Sequence, residues 1–211
     1  MFNNRRDAGE RLGKALEKYK DKGVFVFGIP RGGVEVAYYV ALHLKAHLSV
    51  IVSRKLPYAD NPEAGFGAIA EDGSIFIFDE ALGFLSRKEI DQIIEAQKKE
   101  MKRRVDLYRQ GKAFEDIAGK TVILIDDGIA MGSTMRAAVM LCRNKKAKKI
   151  IVASPVSGTD TFEEFKKIAD EVVVLEMPRF FQAVAQAYYD WYDVSDEEVL
   201  GFIEKWKHEQ S

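Results

Sequence analysis

The sequence predicts an α/β fold: a mainly parallel sheet flanked by helices on both faces, with a small hairpin-containing hood. Three observations predict it. Short, continuous apolar runs such as residues 24–28 and 121–125 suit strands buried on both faces. Each run is followed by a glycine-containing turn and then by apolar residues at helical spacing, the β-turn-α order of a parallel sheet. An Asp72-Gly73 pair between two further apolar runs interrupts that order and signals a hairpin. At 211 residues and 47% hydrophobic, the chain suits one α/β domain over residues 1–211, with 54–85 as the hood.

In chain order, residues 5–20 place Ala8, Leu12, Ala15, Leu16 and Tyr19 at helical spacing and stop near Gly23, which predicts an amphipathic lead-in helix. Residues 24–28 form the first strand, and 29–33 turn into a helix ending near Lys45. A second strand follows over 48–53, then a polar, proline-containing turn over 54–61. Residues 67–71 and 74–78 supply the arms of the hairpin. A long helix spans 86–109, with Ile90, Ile93, Ile94, Gln97, Met101, Val105 and Tyr108 on one stripe and a dense basic face opposite. Ser86 and Glu89 form its capping box. Residues 121–125 are the most strand-like run and lead into a helix ending near Arg143. Strands at 149–154 and 171–175 bracket a helix over about 160–169.

Charge narrows the function classes. With 32 Lys+Arg against 33 Asp+Glu, the net charge of -1 gives no global reason to expect a polyanion, so nucleic acid is not an expected partner. The single cysteine, Cys142, excludes an internal disulfide and reads as a core residue. There is neither a secretory signal nor an apolar run long enough for a membrane, and the expected location is cytoplasmic. His43 and His47 have no third metal ligand nearby. Residues 98–104 read as the solvated face of the long helix. Residues 65–70 match a dinucleotide pattern, but a hairpin rather than a long helix follows them.

Ligands of open parallel sheets bind beyond the carboxyl ends of the strands. After Ile125 come two carboxylates, Asp126 and Asp127, and then a small-residue loop that opens a helix. The unpaired first amides of that helix, its dipole and the hydroxyls of Ser133 and Thr134 suit a phosphate monoester. Two acids beside a phosphate cradle would repel the phosphate unless they face hydroxyls or a metal one sugar-length away, which is what a sugar phosphate offers. A second loop, Gly28 to Gly33, combines closely approaching glycines with Arg31, whose guanidinium can grip phosphate oxygens bidentately.

Residues 122–134, four apolar positions, two acids and a loop ending in Gly132, Ser133 and Thr134, resemble the phosphoribosyl pyrophosphate (PRPP) signature of type I phosphoribosyltransferases. Residues 54–57, 61–63, 65–70, 178–184, 188–191 and 196–199 look similar to a poorly characterised branch of that family. The resemblance implies a type I phosphoribosyltransferase-like fold and transfer of a 5-phosphoribosyl group from PRPP to a nitrogenous base, with Mg²⁺ as cofactor and pyrophosphate released. It implies that Asp126 and Asp127 address the ribose hydroxyls, directly or beside Mg²⁺, and act with Arg31 as the catalytic set. Ala130, Met131, Gly132, Ser133 and Thr134 would wrap the 5-phosphate. Pro30, Arg31, Gly32, Gly33, Arg54 and Lys55 would hold pyrophosphate, with a cis peptide near the Arg31-Gly32 pair. Phe180 and Phe181 are candidates for stacking on a base, and a homodimer is the family expectation. Two positions depart from the pattern: Met131 stands where the family has Thr, and Ala130 where purine-salvage members have Asp. They motivate two alternatives, a non-catalytic PRPP or nucleotide sensor and a hydrolase or phosphorylase of a phosphoribosyl compound.

Overall fold

In the computed structural model, which describes residues 1–62 and 64–209, the main sheet has five parallel strands in the order β2-β1-β6-β7-β8. These are β1 (Phe25–Gly28), β2 (His47–Val50), β6 (Thr121–Ile125), β7 (Lys149–Val156) and β8 (Glu171–Glu176). Alternate residues of a strand point to opposite faces, and after Thr121 every residue of β6 is apolar and buried. Val122 and Leu124 pack with Met135, Ala138 and Leu141 of α4 (Ser133–Asn144) and with Phe165 of α5 (Thr159–Ile168). Ile123 and Ile125 pack on the other face with Leu12 of α1 (Arg5–Ala15) and with Val36, Ala37 and Val40 of α2 (Gly32–Leu44). Burying one such aliphatic side chain contributes roughly 1.5–3 kcal/mol.

The sheet register decides where a ligand site can form. Gly28 lies opposite Ile125, so β1 and β6 end side by side, while β7, whose Ala153 lies opposite Ile125, runs on to Val156 beside the loop after β6.

A second, antiparallel sheet joins β3 (Ser53–Pro57), β4 (Gly65–Ala70) and β5 (Ile75–Ile77) in that order. Its β4-β5 turn is the expected Asp72-Gly73 hairpin, with Gly73 at a φ of 89° and the Asp72 carboxylate accepting from the Ser74 amide and hydroxyl. The long helix α3 (Arg87–Arg109) starts at the expected Ser86–Glu89 capping box and lays Ile90, Ile94 and Met101 against Leu56, Phe66 and Ile69. At its other end Arg109 is buried, donating from Nε and Nη2 to Glu71 at 3.0 and 2.6 Å and from Nη2 to the Val50 carbonyl at 3.0 Å. The basic face of α3 is largely paired: Lys98 with Glu95, Arg104 with Glu100, and Arg103 with Glu100 and Asp196. No helix among the described residues is long and apolar enough to cross a membrane.

Three elements differ from the sequence reading. The lead-in helix ends at Ala15, and Glu17–Tyr19 form a separate 3₁₀ turn that buries Tyr19 against the sheet. The second predicted strand, 48–53, is two: β2 closes at Val50, the chain passes to the other sheet, and Ser53 opens β3. Residues expected in a polar turn over 54–61 are therefore partly strand, because an edge strand with one covered face needs only Leu56 inward. Finally, α6 (Asp196–Glu209) was not anticipated, although Val199, Phe202, Ile203 and Trp206 carry the helical spacing that packs it on α2 and β2.

Candidate active site

Both ligand loops leave the same strand ends. The Ile29 amide donates to the Ile125 carbonyl at 2.8 Å, stitching the start of the Gly28–Gly33 loop to the end of β6. This contact requires glycine: a Cβ on Gly33 would stand 2.8 Å from the Ile125 carbonyl oxygen, and one on Gly32 only 1.9 Å from Asp127 Oδ2. The two loops are thus packed backbone to carboxylate. A cis peptide does occur here, at Pro30-Arg31, one bond before the Arg31-Gly32 pair.

The loop after β6 is held from behind. Its Ile129 amide donates to the Val156 carbonyl at 2.9 Å, and Thr161 Oγ1 donates to the Ala130 carbonyl at 2.7 Å. Gly132, at a φ of 75°, turns the chain into α4. With carbonyls tied backwards, the first amides of α4 have no intrahelical acceptor and open forwards. In front lies a cavity of about 340 Å³, lined by Asp126, by Gly128 to Thr134, by Lys55 and Gly65 from the second sheet, and by Gln182 and Val184. Met131, 59% exposed, offers no hydroxyl here.

The acid pair is not symmetric. Asp126 lines the cavity; burial, and then the adjacent Asp127 carboxylate, push its carboxyl well above the usual range. Asp127 is not among the residues that line that cavity. Its Oδ2 accepts from Arg5 Nε at 2.8 Å, its carbonyl accepts from the Tyr188 hydroxyl at 2.6 Å, and its own amide donates to Asp126 Oδ1 at 2.9 Å. Arg5 is 2% exposed, donates from Nη1 to the Tyr192 carbonyl at 2.9 Å, and lies 4.0 Å over the Trp191 ring. Beside it, the buried Glu35 accepts from the Tyr192 hydroxyl at 2.9 Å, and burial raises its carboxyl.

The structure brings Asp126, Ala130, Met131, Gly132, Ser133, Thr134 and Lys55 around one cavity and leaves other predicted residues outside it. Arg54 and Lys55 were paired as pyrophosphate ligands, but neighbours on a strand face opposite ways. Lys55 lines the cavity together with the Gly128–Thr134 loop, while half-buried Arg54 donates to Gln97 of α3 from Nε and Nη2 at 3.2 and 3.0 Å. Burial, and then the charge of Arg104, lower the Arg54 guanidinium from its ordinary value. Arg31 is exposed at the start of α2, and Pro30 precedes it in the same loop. Phe180 and Phe181 line a separate groove of about 520 Å³ with Met1, Met177 and Pro178; Phe180 is 89% exposed, and Phe181 packs towards Phe2 and Tyr188.

Arg5 and Gln182 were missed. Arg5 left one trace in the sequence, a basic residue in the first turn of a helix, where the dipole disfavours it. Cys142 is buried, and burial pushes its thiol up to about 12. Among the described residues no group of three or more His, Cys, Asp or Glu could hold a metal ion by itself. The hard oxygens of Asp126, the acid that lines the cavity, suit a Mg²⁺ that would take its remaining ligands from water and phosphate.

A five-stranded parallel sheet with a helix-opening small-residue loop and an acid pair at its carboxyl edge, faced by a lysine from a second sheet, defines an α/β protein with a candidate ligand site there. The chain belongs to the phosphoribosyl transferase domain family, whose model matches residues 3–190. It is 39% identical over 207 residues to two Mycobacterium tuberculosis proteins, from strains CDC 1551 / Oshkosh and ATCC 25618 / H37Rv, each named "Putative phosphoribosyl transferase". The match covers 97% of this chain and 47% of each relative, so the chain spans about half their length. The crystal structure of TT1426 from Thermus thermophilus superposes with a TM-score of 0.81 at 34% identity, covering 97% of this chain and 98% of that one. AQ2163 from Aquifex aeolicus, with a TM-score of 0.52 and 13% identity over 82% of this chain and 74% of its own, shares the fold.

Proposed function

We propose that the chain is a phosphoribosyltransferase that moves the 5-phosphoribosyl group of PRPP to a nitrogen of a base and releases pyrophosphate. One observation carries the reading: a carboxyl, a helix-opening phosphate loop and a lysine from a second sheet line one cavity. The loop amides with Ser133 and Thr134 bind the 5-phosphate, and Asp126 accepts from a ribose hydroxyl. Lys55 and Arg31 draw charge off the departing pyrophosphate. Mg²⁺, held at Asp126 with phosphate oxygens, would add electrostatic stabilisation of the leaving group. Loss of pyrophosphate leaves an oxocarbenium-like carbon that water would capture. The second sheet, within the 54–85 hood, limits that by covering the cavity. Gln182 marks the acceptor side. A homodimer forms part of the same reading.

Calorimetry with PRPP and Mg²⁺, followed by pyrophosphate release across a panel of purines and pyrimidines, tests it. Binding with release for one acceptor supports the transferase. Tight binding without release for any acceptor would replace it with a PRPP sensor, the reading that Met131 favours. Absence of binding by both PRPP and nucleoside monophosphates would sink both.

A further inference from the structure

The acid pair is fastened at one end only, and the fastening comes from outside the motif. Asp127 is fixed at three points: Arg5 Nε on its Oδ2, the Tyr188 hydroxyl on its carbonyl, and its own amide on Asp126 Oδ1. Its carboxylate also lies against Gly32, with no room for a Cβ between them. Arg5 is itself immobilised by the Tyr192 carbonyl and by the Trp191 and Tyr192 rings, at 4.0 and 5.2 Å from the guanidinium carbon. The N-terminal segment and the stretch before α6 support this clamp: the Phe2 amide donates to the Ala187 carbonyl at 2.8 Å, and the Tyr189 amide to the Phe2 carbonyl at 2.9 Å. Among the described residues Asp126 is bonded only to Asp127, to its amide and to its carboxyl, and it lines the cavity.

We propose that Arg5 is a positioning residue: it withdraws Asp127 from the ligand and, through the Asp127 amide, aims Asp126 as the single carboxyl that reads the ribose hydroxyls. The proposal rests on the sugar-phosphate reading of the cavity and deepens it by dividing the pair. A guanidinium serves here because it can donate to a carboxylate and a carbonyl at once while stacking on an indole. The buried ion pair need not be a net stabiliser. Its consequence is the orientation of the neighbouring carboxyl.

The test measures, by calorimetry on the metal-free full chain, the affinities for ribose 5-phosphate, 2-deoxyribose 5-phosphate and inorganic phosphate. The ratio of the first two reads the carboxyl, and the third reads the loop alone. Asp126→Asn and Arg5→Met should each cut the ribose-over-deoxyribose ratio, by about tenfold or more, as expected for a lost hydrogen bond to a charged group, with phosphate affinity held. Asp127→Asn keeps an oxygen for Arg5 Nε and should leave most of the ratio. Arg5→Lys, which restores the charge, should recover part of it. Tyr188→Phe, which removes a single hydroxyl and spares the packing, should shift the ratio the same way by about threefold.

If Asp127→Asn costs the ratio as much as Asp126→Asn, Asp127 touches the ribose and the proposal fails. It fails equally if Arg5→Met weakens phosphate and both sugars alike, since that is the mark of a merely structural clamp, or if Arg5→Lys behaves as Arg5→Met. Wild-type protein that binds neither ribose 5-phosphate nor phosphate would instead remove the sugar-phosphate reading itself.

Discussion

Arg109 and Arg5 are both buried and both rest on a carboxylate, yet only one of the two ion pairs is closed. At the end of α3, Arg109 meets both oxygens of Glu71 and a backbone carbonyl, and Glu71 also accepts from the Val52 amide at 2.9 Å. Phe114 lies 4.8 Å from the guanidinium carbon. No charge is left facing space. At the end of β6, Arg5 meets one oxygen of Asp127, and next to that carboxylate a second acid opens on a cavity with its proton affinity raised. The closed pair fastens the junction between the two sheets. The open one leaves an uncompensated group where a ligand hydroxyl can complete it.

The largest effect should come from breaking the closed pair. Glu71→Gln leaves Arg109 without its charge partner in the interior, which costs about 3–5 kcal/mol. At about 2–4 °C per kcal/mol, thermal unfolding should move down by at least several degrees. Ribose-over-deoxyribose selectivity should stay as in the parent, since Glu71 lies outside the cavity lining. A selectivity change larger than the stability change would mean that the two ion pairs are coupled. Next in size is Gly32→Ala. Its Cβ would stand 1.9 Å from Asp127 Oδ2 and 2.8 Å from Arg5 Nε, so the open pair has to part or the loop has to move. Sugar-phosphate affinity should fall by about tenfold or more, with the secondary structure retained by circular dichroism. Unchanged affinity would show that the loop yields without disturbing the acids.

The contrast between the pairs also accounts for what the sequence makes legible. Buried parallel strands need unbroken apolar runs and phosphate cradles need a run of small residues, so β1, β6, α4 and the Asp126–Thr134 loop follow from local pattern. The same holds for the Ser86–Glu89 cap and the Asp72-Gly73 turn. Arg5 acquires its meaning only when the first helix reaches the loop after β6, 122 residues away in sequence, and the basic pair Arg5-Arg6 at a helix start does not say which of the two is buried or against what. Arg54 and Lys55 part for the opposite reason: they are adjacent in sequence and therefore opposed on a strand. The groove with Phe180 and Phe181 depends on how the segment after β8 folds back over Phe2, which no local spacing encodes.

That opposition can be sharpened with two single variants. Lys55→Met removes the cation facing the phosphate loop and should weaken pyrophosphate binding by about tenfold, the equivalent of about 1.4 kcal/mol. Arg54→Met removes a side chain held by Gln97 on the far face and should leave pyrophosphate affinity within about threefold. Equal losses in direct binding measurements would mean that both cations reach the anion and that strand alternation does not sort them.

The smallest effect runs against intuition, because removing a site residue should stabilise the protein. Burial and the Asp127 carboxylate raise the Asp126 carboxyl in the folded state above its unfolded value, near ~3.9. The folded form therefore binds the proton more tightly, and stability falls as pH rises from about 4 through the raised folded value. Above it the strain of an ionised Asp126 is fully present. Asp126→Asn keeps the oxygen that accepts from the Asp127 amide but cannot ionise, so at neutral pH and without metal it should melt higher, by a few degrees. The gain should disappear near pH ~4, where the parent is protonated. A variant that melts lower than the parent at neutral pH would show that Asp126 is satisfied within the protein, and the distinction between the closed and open pairs would be lost.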